Sequence, residues 1–252
     1  MIDMQQKLTN SAIVVIPARN VEPWVAKCVQ SVLNQTYKDL GIVFIDDCSD
    51  DKTREIVTGL LANRPDAIVI AREGRRYAME NIDHAVRECC SNPESVIFLV
   101  DGDDWLACPT AIEEMVAQHK TADVVWSKYQ CSNGIGSICG SLSSNDIRKH
   151  PWVTSHLRSF KKFLFDAIKP EDFLDADGKP YRMTWDMAIV MPILEQVPPA
   201  RRRFYDKVLY IYNRGNPAND DKVSHSEQKR MDVRIRSQKP YSLHPRYLTN
   251  AN

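Results

Sequence analysis

Four runs of apolar residues follow one another in the first part of the chain, and their spacing limits the fold more than any other feature. The runs are "AIVVI" (12–16), "GIVFI" (41–45), "AIVI" (67–70) and "SVIFLV" (95–100). The gap after each of the first three is long enough for one helix. Strands that alternate with helices predict an α/β fold with a mainly parallel, Rossmann-like sheet and helices on both faces.

The rest of the chain carries weaker signals for further elements. Pro23 suits a helix start in the first gap, and an apolar stripe at helical spacing follows it. The sequence also predicts helices over 53–61, 77–90, 152–168 and 184–196, strands over 122–130 and 208–214, and a Gly/Ser-rich loop over 131–146. From Gly215 onward the chain is polar, and we expect it to be loosely ordered.

Polar residues gather where the apolar runs end. The four polar segments are Pro17–Asn20, Asp46–Asp51, Arg72–Arg76 and Asp101–Asp104. In open α/β sheets, ligands bind outside the carboxyl ends of the strands. These segments are therefore expected to face one cleft.

The fourth apolar run ends in three carboxylates, Asp101, Asp103 and Asp104. Residues i and i+2 of an extended chain point to the same side, so Asp101 and Asp103 are expected to converge while Asp104 points away. Converging carboxylates repel each other unless a cation lies between them, and Mg²⁺ or Mn²⁺ prefers such oxygen ligands. A turn built from Asp and Gly, with Asp104 as a helix cap, remains an alternative.

Charge and composition exclude several classes of protein. The chain has 252 residues with 33 basic and 33 acidic side chains, so no overall field favours nucleic acid. The first ten residues are polar, and no apolar stretch reaches the roughly 18 to 20 residues that span a bilayer, which favours a cytoplasmic chain. The seven cysteines show no Cys-x-x-Cys spacing, which favours free thiols.

Three segments carry a family resemblance: "VIPARN", "CVQSVLNQTYKDLGIVFIDDCSDDKT" and "LVDGDDWL". Together they resemble the nucleotide-sugar-binding half of the inverting family 2 glycosyltransferases, which have the GT-A fold. Within the third segment, "DGD" resembles that family's Asp-x-Asp motif. The resemblance is specific from about Ala12 to Leu106 and rests only on pattern beyond that point.

The resemblance implies roles for individual residues. The base and ribose of a nucleotide sugar would be held by Pro17, Ala18, Arg19, Asn20 and Asp47, with Asp46 beside them. Arg76 would approach the base or the diphosphate. In the "DGD" motif, Asp101 and Gly102 would contact the donor, and Asp103, together with Asp101, would hold Mn²⁺ or Mg²⁺. Asp186 stands where the family has the base that takes the acceptor's proton, although a first-turn acid favoured by the helix dipole is an alternative there.

Three positions depart from the family pattern. Cys48 stands where a glycine usually follows the paired aspartates, and Glu80-Asn81 stands where Arg-Asn is usual. Trp185-Asp186 replaces the common Glu-Asp pair. The resemblance therefore implies no role for position 80.

The resemblance also implies partners and a division of the chain. The donor would be a UDP-sugar and the acceptor a glycan or glycolipid, in the synthesis of a surface polysaccharide. Residues 1–130 would form the nucleotide-sugar half, 131–215 the acceptor-side half of the same domain, and 216–252 a basic tail. That tail either covers the diphosphate, contacts anionic lipid at a membrane, or is simply solvated. A non-catalytic module that binds a nucleotide sugar or glycan is the competing interpretation, and the sequence does not indicate an oligomeric state.

Overall fold

One mixed eight-stranded sheet forms the centre of the molecule, seen here in a computed structural model. The structure describes residues 7–217 and 224–248. Its strands lie in the order β3-β2-β1-β4-β7-β6-β8-β5. They are β1 (Ala12–Ala18), β2 (Leu40–Asp46), β3 (Ala67–Ala71), β4 (Val96–Leu99), β5 (Trp105–Leu106), β6 (Val124–Cys131), β7 (Arg158–Lys161) and β8 (Arg202–Tyr212).

Helices cover both faces of this sheet, as the sequence predicts. They are α1 (Glu22–Leu33), α2 (Thr53–Leu61), α3 (Tyr77–His84), α4 (Ala111–Gln118), α5 (Lys162–Asp166), α6 (Trp185–Glu195) and α7 (His225–Ser237). Side chains from α1, α2 and α4 pack on one face, and side chains from α3, α5, α6 and α7 pack on the other. None of the helices in the described part of the chain has both the length and the apolar character needed to cross a bilayer.

The first four strands coincide with the four apolar runs. β1 lies between β2 and β4, β2 also pairs with β3, and all four strands are parallel. Every residue of β1, β2 and β4 is buried, which is why these strands are apolar without a polar break. Their carboxyl ends therefore meet at one edge of the sheet.

The helix predicted over 152–168 is wrong. Residues 158–161 form β7, which pairs antiparallel with β4 on one side and with β6 on the other. Only the short α5 that follows is helical. Backbone pairing with two strands outweighs the local pattern, because β4 and β6 would otherwise leave buried N–H and C=O groups without partners.

The expectation of a loosely ordered chain after Gly215 is wrong for residues 224–248. Helix α7 lies in this segment and buries Met231 and Ile235 against the core. Arg148, which is paired with Glu195 at the end of α6, donates to the carbonyl oxygen of Ile235. The parts of the predicted tail at 218–223 and 249–252 lie outside the described residues.

His119, which follows α4, is expected to make the folded protein less stable in acid. Its Nε2 lies 2.8 Å from the hydroxyl of Ser159 in β7, and burial lowers the pKa of His119 to about 3. The unfolded chain, with an ordinary pKa near 6.5, binds a proton more readily. The free energy of unfolding should therefore fall by about 1.4 kcal/mol for each pH unit below that value.

Urea unfolding of wild type and His119→Leu at pH 7.5 and pH 5 measures this effect. Other groups titrate in both proteins, so the difference between them isolates His119. The wild type should lose more stability than the variant on acidification. Equal losses in the two proteins would show that His119 is not held neutral by the fold.

Candidate active site

An open cavity of about 620 Å³ lies at the carboxyl edge of the parallel strands. Its volume is within the range of small-molecule sites in proteins. The end of β1, the loops after β2 and β4, the start of β7 and the start of α6 all contribute to its wall. Of the residues that the resemblance singles out, the cavity is lined by Pro17, Ala18, Arg19, Asn20, Asp47, Asp101, Gly102, Asp103 and Asp186.

Asp47 fixes the start of helix α3 beside the cavity. Its two carboxylate oxygens accept hydrogen bonds from the backbone N–H groups of Arg76 and Tyr77, at 2.7 and 2.9 Å. A carboxylate at this position satisfies N–H groups that the first turn of a helix leaves free. Asp46 is buried and does not line the cavity wall.

Arg75 and Arg182, rather than Arg76, line the cavity near α3. The Arg76 side chain instead pairs with Glu80, 2.6 Å away, on the exposed side of the helix. The guanidinium groups of Arg75 and Arg182 lie 4.2 and 4.5 Å from the centre of the Tyr77 ring. Arg182 precedes α6, so this contact joins the cavity wall at the start of α3 to the wall at the start of α6.

The loops after β1 and β2 hold each other in place. Arg19 donates to the carbonyl oxygen of Cys48, and the side-chain oxygen of Asn20 accepts from the backbone N–H of Asp50. Cys48 has a φ of +61°, a left-handed conformation that glycine adopts more easily. A glycine, which the family pattern usually has at this position, would adopt this conformation without strain, whereas this chain adopts it with a cysteine.

Gly102 allows the end of β4 to pass close to the end of β1. A Cβ atom added at Gly102 would lie 2.5 Å from the Cβ of Ala18 and 3.2 Å from its Cα. A backbone atom cannot move aside as the end of a flexible side chain can. The small residue between Asp101 and Asp103 is therefore required by packing as well as by the family pattern.

The three carboxylates after β4 have different surroundings. Asp101 and Asp103 are partly exposed at the cavity, whereas Asp104 is buried. The expectation that Asp104 points away from Asp101 is wrong, because the chain turns here and does not stay extended. The backbone N–H of Asp104 donates to the carbonyl oxygen of Asp101, and potential ligand atoms of the two side chains lie within 4.8 Å of each other. Asp104 accepts hydrogen bonds from the Tyr210 hydroxyl and the Asn213 backbone N–H, both at 2.7 Å. Burial, together with the charges of Asp103 and Asp101, raises the pKa of Asp104 well above its ordinary value.

Asp103 faces the cavity and has a side-chain partner, Asn216. Asn216 donates to one of its oxygens at 2.7 Å, and burial raises the pKa of Asp103. Burial disfavours the charged form of Asp103, and a divalent cation bound beside it would favour that form. The donor set is thus one that suits Mn²⁺ or Mg²⁺.

His156 joins this cluster, which the sequence did not predict. Potential ligand atoms of Asp101, Asp104 and His156 all lie within 4.8 Å of one another. Burial and the nearby Arg158 lower the pKa of His156 well below its ordinary value, so the imidazole is neutral. A neutral imidazole is a common metal ligand, and it adds a nitrogen to the oxygens of Asp101 and Asp104.

Asp186 lies in the first turn of α6 and is the one residue of that helix that is not buried. Its carboxylate is 3.0 Å from the Nη1 of Arg158, at the start of β7. Both side chains line the cavity that also contains Asp101 and Asp103. The two interpretations of Asp186 are compatible. It is a first-turn acid favoured by the helix dipole, and it also lines the cavity.

Comparison with known proteins identifies the family. Residues 13–169, more than half of the chain, match the family described as "Glycosyl transferase family 2". The chain is 36% identical over 98 residues to chondroitin synthase from Escherichia coli. This match covers 39% of this chain and 14% of the synthase. The chain is also 24% identical over 226 residues to the uncharacterized glycosyltransferase EpsJ from Bacillus subtilis, covering 81% of this chain and 61% of EpsJ.

Solved structures confirm the fold at low sequence identity. A structure of residues 1–349 of TarS from S. aureus matches with a TM-score of 0.62 and 20% identity, over 81% of this chain and 60% of that one. The mannosyltransferase PcManGT from Pyrobaculum calidifontis, in complex with GDP-Man and Mn²⁺, matches with a TM-score of 0.54 and 14% identity over 84% of this chain and 59% of that one. The chain thus spans less than two thirds of these relatives and structures. It belongs to glycosyl transferase family 2 and has the GT-A fold that its strand-end motifs predict.

Proposed function

We propose that this chain carries the catalytic domain of a metal-dependent, inverting glycosyltransferase that moves a sugar from a UDP-sugar to a hydroxyl acceptor. One observation carries the proposal: a single cavity contains both the acidic end of β4 and the unburied Asp186 of α6. The acidic end of β4 supplies groups for a charged donor. Asp186 supplies a carboxylate for an acceptor.

The donor would lie against the ends of β1, β2 and β4. Pro17 to Asn20 and Asp47 line this part of the cavity, with Arg75 and Arg182 close by. Guanidinium groups suit a diphosphate because they donate several hydrogen bonds in a fixed plane. The structure of TarS in complex with UDP-GlcNAc, which matches this chain with a TM-score of 0.61, supports a UDP-sugar as the donor.

Mn²⁺ or Mg²⁺ would be held by Asp103 and Asp101, with His156 placed to contribute. When bound, the cation would supply positive charge that stabilises the departing nucleoside diphosphate. Asp104 would support the site from behind, since both of its oxygens are already bonded to Tyr210 and Asn213. The Mn²⁺ in the PcManGT structure is consistent with this choice of metal.

Asp186 would act as the general base. Its carboxylate would take the proton of the acceptor hydroxyl while that oxygen forms a bond to the anomeric carbon. The bond from the anomeric carbon to the phosphate oxygen breaks at the same time, and its electron pair leaves with the nucleoside diphosphate. Attack from the face opposite the leaving group inverts the anomeric configuration.

The acceptor would be a glycan or glycolipid of a surface polysaccharide. The match to chondroitin synthase supports a polysaccharide product. Helix α7 contributes Gln228 to the cavity wall, so part of the predicted tail would contact the acceptor. Several basic residues of α7 are paired within the chain, Arg230 with Glu227 and Arg236 with Asp232, which leaves less free charge for contact with a membrane.

Release of nucleoside diphosphate tests the proposal. The wild-type protein should release UDP from a UDP-sugar over time, with Mn²⁺ or Mg²⁺ present and an acceptor panel supplied. EDTA should stop the release. Metal-dependent binding of UDP-sugars without turnover across a broad acceptor panel would instead favour a non-catalytic binding module.

A further inference from the structure

Arg158 is a buried charge on the cavity wall. It is the first residue of β7, and only 2% of its surface is exposed. A guanidinium without water around it must find partners inside the protein. Its Nη1 lies 3.0 Å from the Asp186 carboxylate, and its Cζ lies 5.2 Å from the centre of the Trp185 ring.

His156 holds the other side of Arg158. The Arg158 Nη2 is 2.9 Å from the Nδ1 of His156. The imidazole is itself fixed between aromatic rings: it stacks on Tyr210 at 4.7 Å and on Tyr212 at 5.4 Å, and the Tyr129 ring meets it at a steep angle. The guanidinium therefore cannot leave its place without giving up a hydrogen bond to a rigid partner.

These contacts form a continuous connection across the cavity. His156 lies 3.9 Å from Asp101 on the donor side, and Arg158 reaches Asp186 on the acceptor side. Nε and Nη1 of Arg158 are buried, and neither makes a hydrogen bond of normal geometry with the described residues. The contact between Arg158 and Asp186 is thus an ion pair, and the attraction between the two charges holds the Asp186 carboxylate in position.

We propose that Arg158 is a positioning residue, which holds the Asp186 carboxylate in the place where it meets the acceptor hydroxyl, and that His156 fixes Arg158. This inference rests on the proposed function, because it assigns a partner to the proposed base. Asp186 needs such a partner because its neighbours on α6 are packed into the core while its own side chain is not. A displaced base lowers the rate steeply, since about 1 Å of misplacement costs on the order of 100-fold.

Steady-state kinetics of Arg158→Met and Arg158→Lys test the proposal. The methionine variant should lower kcat by about 100-fold, on the scale expected for a misplaced group, while KM for the UDP-sugar stays within about 3-fold. The lysine variant keeps a charge and should recover part of the loss. Guanidinium added at millimolar concentration should partly restore kcat of Arg158→Ala, which a merely structural role would not predict.

Arg87→Met provides a matched control. The Arg87 guanidinium also pairs with an aspartate, Asp83, and lies over an aromatic ring, Phe165, but it is not on the cavity wall. This variant should keep the kcat of the wild type. Thermal melting of every variant separates loss of folded protein from loss of rate, and Arg158→Lys serves if Arg158→Met does not fold.

Three results distinguish the possible failures. If UDP binding in Mn²⁺ weakens more than 10-fold in Arg158→Met while kcat is unchanged, Arg158 is a diphosphate ligand and the inference is overturned. If Asp186→Asn is inactive but Arg158→Met keeps the wild-type kcat, the inference fails and the proposed function stands. If the wild type itself releases no UDP from any UDP-sugar, the proposed function fails first.

Discussion

Replacing Asp186 with asparagine should lower the rate of sugar transfer by about 1000-fold, within the range measured for general bases. Asparagine has nearly the same shape as aspartate but cannot take a proton. Because the donor groups lie on other elements, UDP binding in the presence of Mn²⁺ should stay within about 2-fold of wild type. Transfer is measured by product formation and binding by isothermal titration calorimetry.

Asp166→Asn is the control for this variant. Asp166 also lies on a helix and pairs with a basic residue, Lys162, but it is outside the cavity. It should keep the wild-type rate. Transfer at the wild-type rate in Asp186→Asn would remove Asp186 as the base and leave its first-turn position as its whole role.

The second large effect is expected at Asp103. Asp103→Asn removes a negative charge from the cavity but keeps an oxygen that can accept from Asn216. Mn²⁺-dependent binding of UDP should weaken by about 100-fold, and transfer should fall with it, because a carboxylate ligand is exchanged for a neutral one. Titration of UDP with Mn²⁺ and with EDTA separates the metal-dependent part of the affinity.

The alternative ligand set gives a different result in the same experiment. If Asp103→Asn binds UDP and Mn²⁺ as the wild type does, the cation belongs to Asp101, Asp104 and His156, whose ligand atoms lie together. His156→Phe should then abolish metal-dependent binding while it keeps an aromatic ring between Tyr210 and Tyr212. The two variants together thus assign the metal to one group of residues.

The parallel strands could be predicted because their surroundings are uniform. β1, β2 and β4 are covered on both faces, so their sequences are continuous apolar runs. β7 could not be predicted in this way. It contains Arg158, Ser159 and Lys161, and it is a strand because β4 and β6 lie on either side of it. That pairing joins segments far apart in the chain.

The same distinction applies to the site. Residues in the short segments after β1 and β4, such as Asn20 and Asp103, reach the cavity because those strands end at its edge. His156 and Arg182 come from connections whose path depends on tertiary contacts, and no local pattern marks them. Arg75 lines the cavity, whereas the Arg76 side chain pairs with Glu80 one helical turn further on, and no local pattern distinguishes the two arginines.

The position of β7 between β4 and β6 limits how this chain can be divided into fragments. Because β7 fills the space between β4 and β6, a fragment of residues 1–130 would present an open, apolar strand edge along β4. Such edges pair with other chains and promote aggregation. Joining halves from two different proteins of this fold is therefore expected to disturb folding more than exchanging surface loops would.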